Sequence, residues 1–135
     1  MDRITWSDEF SVGNRTLDAQ HKTIIGVVNG LIDNPQATVE SELLSDALTT
    51  LTKYAVEHFR EEERLMAMCE YPGIEEHKNK HQDFGQKIAK CCVAATIHVR
   101  AVPWELLTYL RDWWTSHILQ DDAKYKPFLA ERRAT

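Results

Sequence analysis

The chain has 135 residues, 43% of them hydrophobic and 27% charged, with a net charge of −5, which is material for one ordinary domain built on a single core. No block of basic residues is present, which argues against a nucleic-acid or anionic-membrane partner. No apolar run is long enough to span a bilayer and "MDRITWSDEF" carries no signal-like hydrophobic stretch, so the expected address is cytoplasmic.

No stretch sustains two-residue alternation. Apolar residues recur instead with the three-to-four spacing of amphipathic helices. Residues 1–15 read as an N-terminal arm in which Trp6 and Phe10 cover apolar surface. A first helix, about 17–33, carries the seam Leu17, His21, Ile24, Val28, Leu31, with Thr16 or Asp18 as candidate caps and "DNPQ" at 33–36 as its stop. Gly26 and Gly30 fall inside it, each lowering helix stability by up to about 1 kcal/mol against alanine, so close packing by a neighbour is expected as compensation.

The second helix, about 38–67, has the seam Leu44, Leu48, Leu51, Ala55, His58, Glu62, Leu65 and ends before "CEYPG" at 69–73. The third, about 74–97, runs through Ile74, His77, His81, Phe84, Ile88, Cys91 and Ala95 and fades at "HVRAVP". Pro103 suits the first turn of a fourth helix, about 103–121, with the seam Leu106, Leu110, Trp113, His117, and a short helix follows from about Lys124. The pattern predicts an all-α, single-domain fold over 1–135: an up-down-up-down antiparallel four-helix bundle with an N-terminal arm and a short C-terminal helix. Cys69, Cys91 and Cys92 are odd in number, show no C-x-x-C and include an adjacent pair ill-suited to a disulfide, so reduced thiols are expected.

Five of the six histidines, His21, His58, His77, His81 and His117, lie on seams that should face the core, while His98 reads as surface. In "EEHKNKH" (75–81) the two imidazoles share one helix face and Lys78 and Lys80 point away from it. Glu62 is a carboxylate on a buried seam, strongly disfavoured unless paired or bound to metal. Its neighbours Arg60, Glu61, Glu63 and Arg64 fall off the seam and are expected to be solvated.

His21 and the pair His77, His81 stand near the starts of helices one and three. His58, Glu62 and His117 stand near the ends of helices two and four. An antiparallel bundle gathers all six in one layer at one end. Asp122, five residues after His117, lies about 140° around an ideal helix and reaches that layer only if the helix ends or loosens there, whereas Asp121 has the commoner i+4 spacing. Five imidazoles with one or two carboxylates exceed the needs of one zinc and suit a pair of first-row metals, iron above all, bridged by carboxylate. There is no H-E-x-x-H, no C-x-x-C-H and no E-x-x-H. A histidine-rich centre has few anionic ligands to stabilise high-valent iron and leans towards reversible binding.

"WSDEFSVGNRTLDAQH" (6–21), "HFREEERLM" (58–66), "YPGIEEHKNKH" (71–81) and "DWWTSHILQDDAKY" (112–125) together resemble the hemerythrin family over nearly the whole chain. The resemblance implies two iron ions with a bridging oxo or hydroxo group. His77, His81 and His117 would hold one iron, His21 and His58 the other, and Glu62 and Asp122 would bridge them. It selects Asp122 over Asp121, and Tyr125 falls where the motif expects it. It further implies that O2 binds reversibly, as hydroperoxide, at the iron with two histidines, for storage, delivery or buffering and without turnover as an enzyme.

Ile24, Phe59, Trp113, Trp114 and Ile118 neighbour these ligands and are the expected pocket walls. Trp114 departs from the family's usual leucine and would narrow the pocket or its access. A sensing module for O2, NO or redox state and a di-iron oxidase or peroxidase are the alternatives. With no signalling domain in the sequence, binding is the expected role, alongside an unidentified redox partner or O2-consuming enzyme.

Overall fold

The amide of Leu17 meets the side-chain oxygen of Asn14 at 2.9 Å, and that cap starts α1, Arg15–Asp33. The structure, a computed structural model, describes residues 2–34, 41–96 and 102–134. Asn14, two positions before Thr16, takes the role assigned to Thr16 or Asp18. Asp18 instead binds the arm back to α1, accepting from Ser11 Oγ at 2.6 Å and from the Val12 amide at 2.9 Å. Farther out, buried Asn29 pairs with both backbone groups of Ile4, each at 2.8 Å. Inside the arm a single 3-10 turn, Asp8–Phe10, buries Phe10, and half-buried Trp6 stacks on it at 5.6 Å.

The following helices are α2, Ser41–Met68, α3, Ile74–Thr96, and α4, Val102–Ser116, with Pro103 in the first turn of α4. α1 packs on α2 and α4, and α3 packs on the same two, the neighbours of an up-down-up-down bundle. The end of α2 is closed by a left-handed Glu70 (φ 56°), with the Glu70 amide bonding to Ala67 O and the Tyr71 amide to Met66 O. This tight turn reverses the chain within a few residues, so that the start of α3 lies beside the end of α2.

The expected fourth helix over 103–121 is corrected at its far end. α4 stops at Ser116, a π turn spans His117–Asp122, and α5, Ala123–Ala134, follows without a break. Gly26 and Gly30 also depart from expectation. Both are exposed, and a Cβ at either would meet no heavy atom within 4 Å, so neither has a packed neighbour among the described residues. Residues 35–40, 97–101 and His98 among them lie outside the described residues, as do the side chains of Leu44, Cys91, Cys92 and Ala95.

Two apolar clusters fill the interior. The larger contains Ile24, Ala55, Phe59, Phe84, Trp114 and Ile118. The smaller is formed by Val12, Leu17, Met66, Tyr125 and Leu129. Each of the four chain segments crosses from one cluster to the other through a polar layer: Leu17–His21–Ile24, Phe59–Glu62–Met66, Ile74–His77–His81–Phe84, and Trp114–His117–Asp122–Tyr125. The arm and α5 therefore close the end of the bundle at which the sequence places the histidine layer.

Candidate metal centre

Seven polar side chains in this layer are almost wholly inaccessible: His21, His58, Glu62 and Asp122 at 0%, His117 at 1%, His77 at 3% and His81 at 4%. Glu62, near the end of α2, stands at their centre. Its Oε1 lies 2.6 Å from His77 Nε2, 2.9 Å from His81 Nε2 and 3.6 Å from His117 Nε2. Its Oε2 lies 3.0 Å from His58 Nε2 and 3.7 Å from His21 Nε2, and accepts from the Tyr125 hydroxyl at 3.1 Å. One carboxylate thus divides its oxygens between a set of three imidazoles and a set of two.

Asp122 repeats the division. Oδ1 sits 3.1 Å from His77 Nε2 and 3.2 Å from His117 Nε2, and Oδ2 sits 3.0 Å from His21 Nε2. The π turn explains how it gets there. A turn closed between residues five apart sets Asp122 over His117, where an α-helix would carry it around to the side. Asp121, the i+4 alternative, stays outside the cluster. It accepts from His117 Nδ1 at 3.0 Å and from Lys80 Nζ at 2.5 Å.

Three of the outward nitrogens are held as ligand imidazoles require. His58 Nδ1 faces Gln20 Oε1 at 2.7 Å, His81 Nδ1 faces Glu63 Oε2 at 2.8 Å, and His117 Nδ1 faces Asp121. Each acceptor fixes the proton on Nδ1 and leaves the Nε2 lone pair pointing inward. Glu63 is therefore not simply solvated, as its off-seam position suggests. The shoulder of α2 brings it to His81, while Glu61 pairs with Arg64. Sequence reading missed Gln20, Glu63 and the outer role of Asp121. The available signal was that a ligating imidazole needs an acceptor on its far nitrogen, so polar residues flanking each ligand were the candidates.

Burial opposes charge on His21, His58, His77 and His117, but for three of them the carboxylates prevail. His21 rises to about 9 under Asp122 and Glu62, and His117 to about 10 under Asp122, Asp121 and Glu62. His77 is raised by the same two acids, Asp122 and Glu62, against its burial. His58 is the exception, since its burial outweighs the pull of Glu62 and pushes it down. Glu62 is held well below the carboxylate range despite burial, by His58, His117 and His21. Burial, with Asp122 and Glu62, pushes Tyr125 well above its usual value, so it remains a hydroxyl donor.

The donor set fits a pair of metal ions. Two groups, Glu62 with His77, His81 and His117, and Glu62 with His21, His58 and Asp122, each present one ligand atom per residue within 4.8 Å of one another. His21 Nε2, His58 Nε2 and both oxygens of Asp122 are buried and close to opposite partners, yet make no hydrogen bond. Buried polar atoms are nearly always satisfied, so lone pairs that approach without bonding suit a cation between them.

Of the expected wall residues, Phe59, Trp113 and Trp114 adjoin the imidazoles of this layer. Phe59 stacks on His81 (3.9 Å, 10°) and Trp113 on His117 (4.4 Å, 16°). Trp114 lies 6.1 Å from the His58 ring and 5.6 Å from Phe59. Ile24, Trp114 and Ile118 are fully or nearly fully buried, whereas Trp113 is only half-buried, so the core-facing position on α4 belongs more to Trp114 than to the seam residue Trp113.

Fold and site together define a helical-bundle protein with a buried, histidine-rich cation-binding centre. A family model described as the hemerythrin HHE cation binding domain matches residues 12–129, and the chain belongs to the hemerythrin family. It is similar to the bacteriohemerythrin of Pseudomonas aeruginosa, 31% identical over 93% of this chain and 80% of that protein. It is likewise similar to the myohemerythrin of Riftia pachyptila, 30% identical over 90% and 89% of the two chains. A crystal structure of wild-type hemerythrin superposes with a TM-score of 0.81 at 30% identity, covering 96% of this chain and 99% of the other.

Proposed function

We propose that this chain is a non-haem di-iron protein that binds O2 reversibly, for storage, delivery or buffering, and does not turn it over. His77, His81 and His117 would hold one iron and His21 and His58 the other, with Glu62 and Asp122 shared between them. The observation that carries this reading is the double division of oxygens: Glu62 and Asp122 each face imidazoles of both sets from opposite oxygens.

Two irons of variable valence supply, when bound, the two electrons that O2 needs and can take back on release. The chain does the rest. Two carboxylates offset positive charge without exposing it to water. Tyr125 donates to Glu62 Oε2 and fixes the rotation of that carboxylate. Gln20, Glu63 and Asp121 hold three imidazoles in one tautomer and orientation. Ile24, Phe59, Trp113, Trp114 and Ile118 exclude water, and reversibility requires that exclusion, because protons and water promote loss of reduced oxygen and leave the oxidised centre behind.

No helix among the described residues is long and apolar enough to cross a membrane, and the cytoplasm is the proposed address. The test is to mix the anaerobically reduced, iron-loaded protein with O2 and follow its visible absorption. A long-lived band that disappears under vacuum and returns with O2 supports binding. Rapid bleaching to an oxidised form supports sensing or catalysis instead.

A further inference from the structure

A cavity of about 230 Å³ lies between α2 and α3. Its mouth is formed by the exposed residues Thr52, Val56, Gly85 and Ala89. Its interior is formed by the buried residues Ala55, Phe59, Phe84, Ile88 and His81. His81 is the only ionisable group in that lining, and its ring presents a face, because Nδ1 is turned to Glu63 and Nε2 to Glu62. The cavity therefore offers no hydrogen-bonding side chain in its depth. Phe59, flat on His81, also contacts Trp114 and lies 5.9 Å from the His58 ring, so one phenyl ring adjoins both imidazole sets and the cavity.

We propose that this cavity is a chamber for small apolar gas molecules, through which O2 reaches the metal layer past the Phe59 ring. Apolar walls of this kind take up apolar guests such as xenon in preference to water, which finds no side-chain partner in the depth of the cavity. O2 has the same preference. The alternative surface near the metals, between Tyr71, Glu76, Lys80, Asp121 and Lys124, is narrow and charged and suits water and ions. At Gly85, in the mouth, a Cβ meets no heavy atom within 4 Å among the described residues, so there is room for a side chain. A larger side chain there occupies the mouth of the chamber and replaces no metal-binding residue. The oxygen step rests on the reading given under Proposed function, whereas the affinity for apolar gas does not.

The experiment pairs xenon binding with oxygen kinetics in the wild type, Gly85→Leu and Ala89→Leu. Xenon binding is read from a crystal pressurised with xenon or from xenon-induced chemical-shift changes, and it needs no iron. The expected result is xenon between α2 and α3 in the wild type and its displacement in Gly85→Leu. In the iron-loaded Gly85→Leu protein, O2 association and dissociation should both slow by on the order of tenfold, a barrier rise that leaves their ratio intact.

Ala89→Leu narrows the same mouth from the next turn of α3 and serves if the first variant is misfolded. Should the wild type bind O2 while both variants keep its rates, the route is overturned and oxygen binding stands. If the wild type forms no oxygen adduct, the reading under Proposed function fails. Xenon then decides the chamber alone, and its absence from the cavity overturns that as well.

Discussion

At the scale of single residues, the layer separates two neighbouring aspartates by task. Asp122 faces His21, His77 and His117, whereas Asp121 touches only the outer nitrogen of His117 and Lys80. Asp122→Asn should therefore abolish binding of the second iron, while Asp121→Asn should keep two irons per chain and weaken them by about 10–100-fold, as loss of an outer partner does. Competition with a chelator followed by iron analysis measures both, and equal losses would contradict the assignment.

Trp114 is fully buried beside His58, with its indole nitrogen lacking a hydrogen-bond partner among the described residues. Trp114→Leu opens space next to the two-histidine set. It should change the rate of O2 binding or of autoxidation, read by stopped flow and by slow loss of the oxygenated band. Constancy of both rates would show that the indole has no part in the pocket. The inner donors were legible in the sequence because a histidine or glutamate on an apolar seam contradicts its surroundings. Gln20 and Glu63 were not, since on the shoulders of α1 and α2 they look like any solvated residue until a partner helix arrives.

At the scale of elements, helix periodicity alone located all four bundle helices, and the misjudged details are those that depend on local hydrogen bonding. The cap at Asn14 and the π turn at His117–Asp122 are decided by single side chains and one shifted bonding register. Hydrophobic spacing does not report either. The same holds for Gly26 and Gly30, where a close neighbour was inferred from the cost of glycine in a helix and none is present among the described residues. Because both positions are exposed and open, Gly26→Ala and Gly30→Ala should each stabilise the protein by about 0.5–1 kcal/mol. Denaturant unfolding of the metal-free variants measures this, and a loss of stability in both would show that the glycines serve a contact made outside the described residues.

At the scale of the whole molecule, the bundle holds its charged layer between two apolar clusters, and its stability depends on what balances the buried acids. Without metal, protons on the imidazoles do so. His21 and His117 are raised from 6.5 to about 9 and about 10, so their contribution is complete below about pH 6.5 and is lost as pH rises through 9 and 10. Glu62 is lowered, so its contribution is present above its unfolded value of 4.5 and is lost as pH falls well below that.

The metal-free protein should therefore melt at falling temperatures from about pH 7 to pH 10, whereas the iron-loaded protein, with neutral ligating imidazoles, should lack that alkaline decline. Identical pH profiles for the two forms would contradict the account. Uptake of Fe2+ at neutral pH should likewise release protons, measurable in weakly buffered solution.

The claim on which the rest depends is that Glu62 and Asp122 join two imidazole sets into one binuclear site. The most direct measurement is the metal content of the purified protein after anaerobic loading with excess Fe2+ and removal of what is unbound. The account predicts two irons per chain, falling below one in Glu62→Ala with helical content retained. A single tightly held ion per chain, zinc or iron, would contradict it.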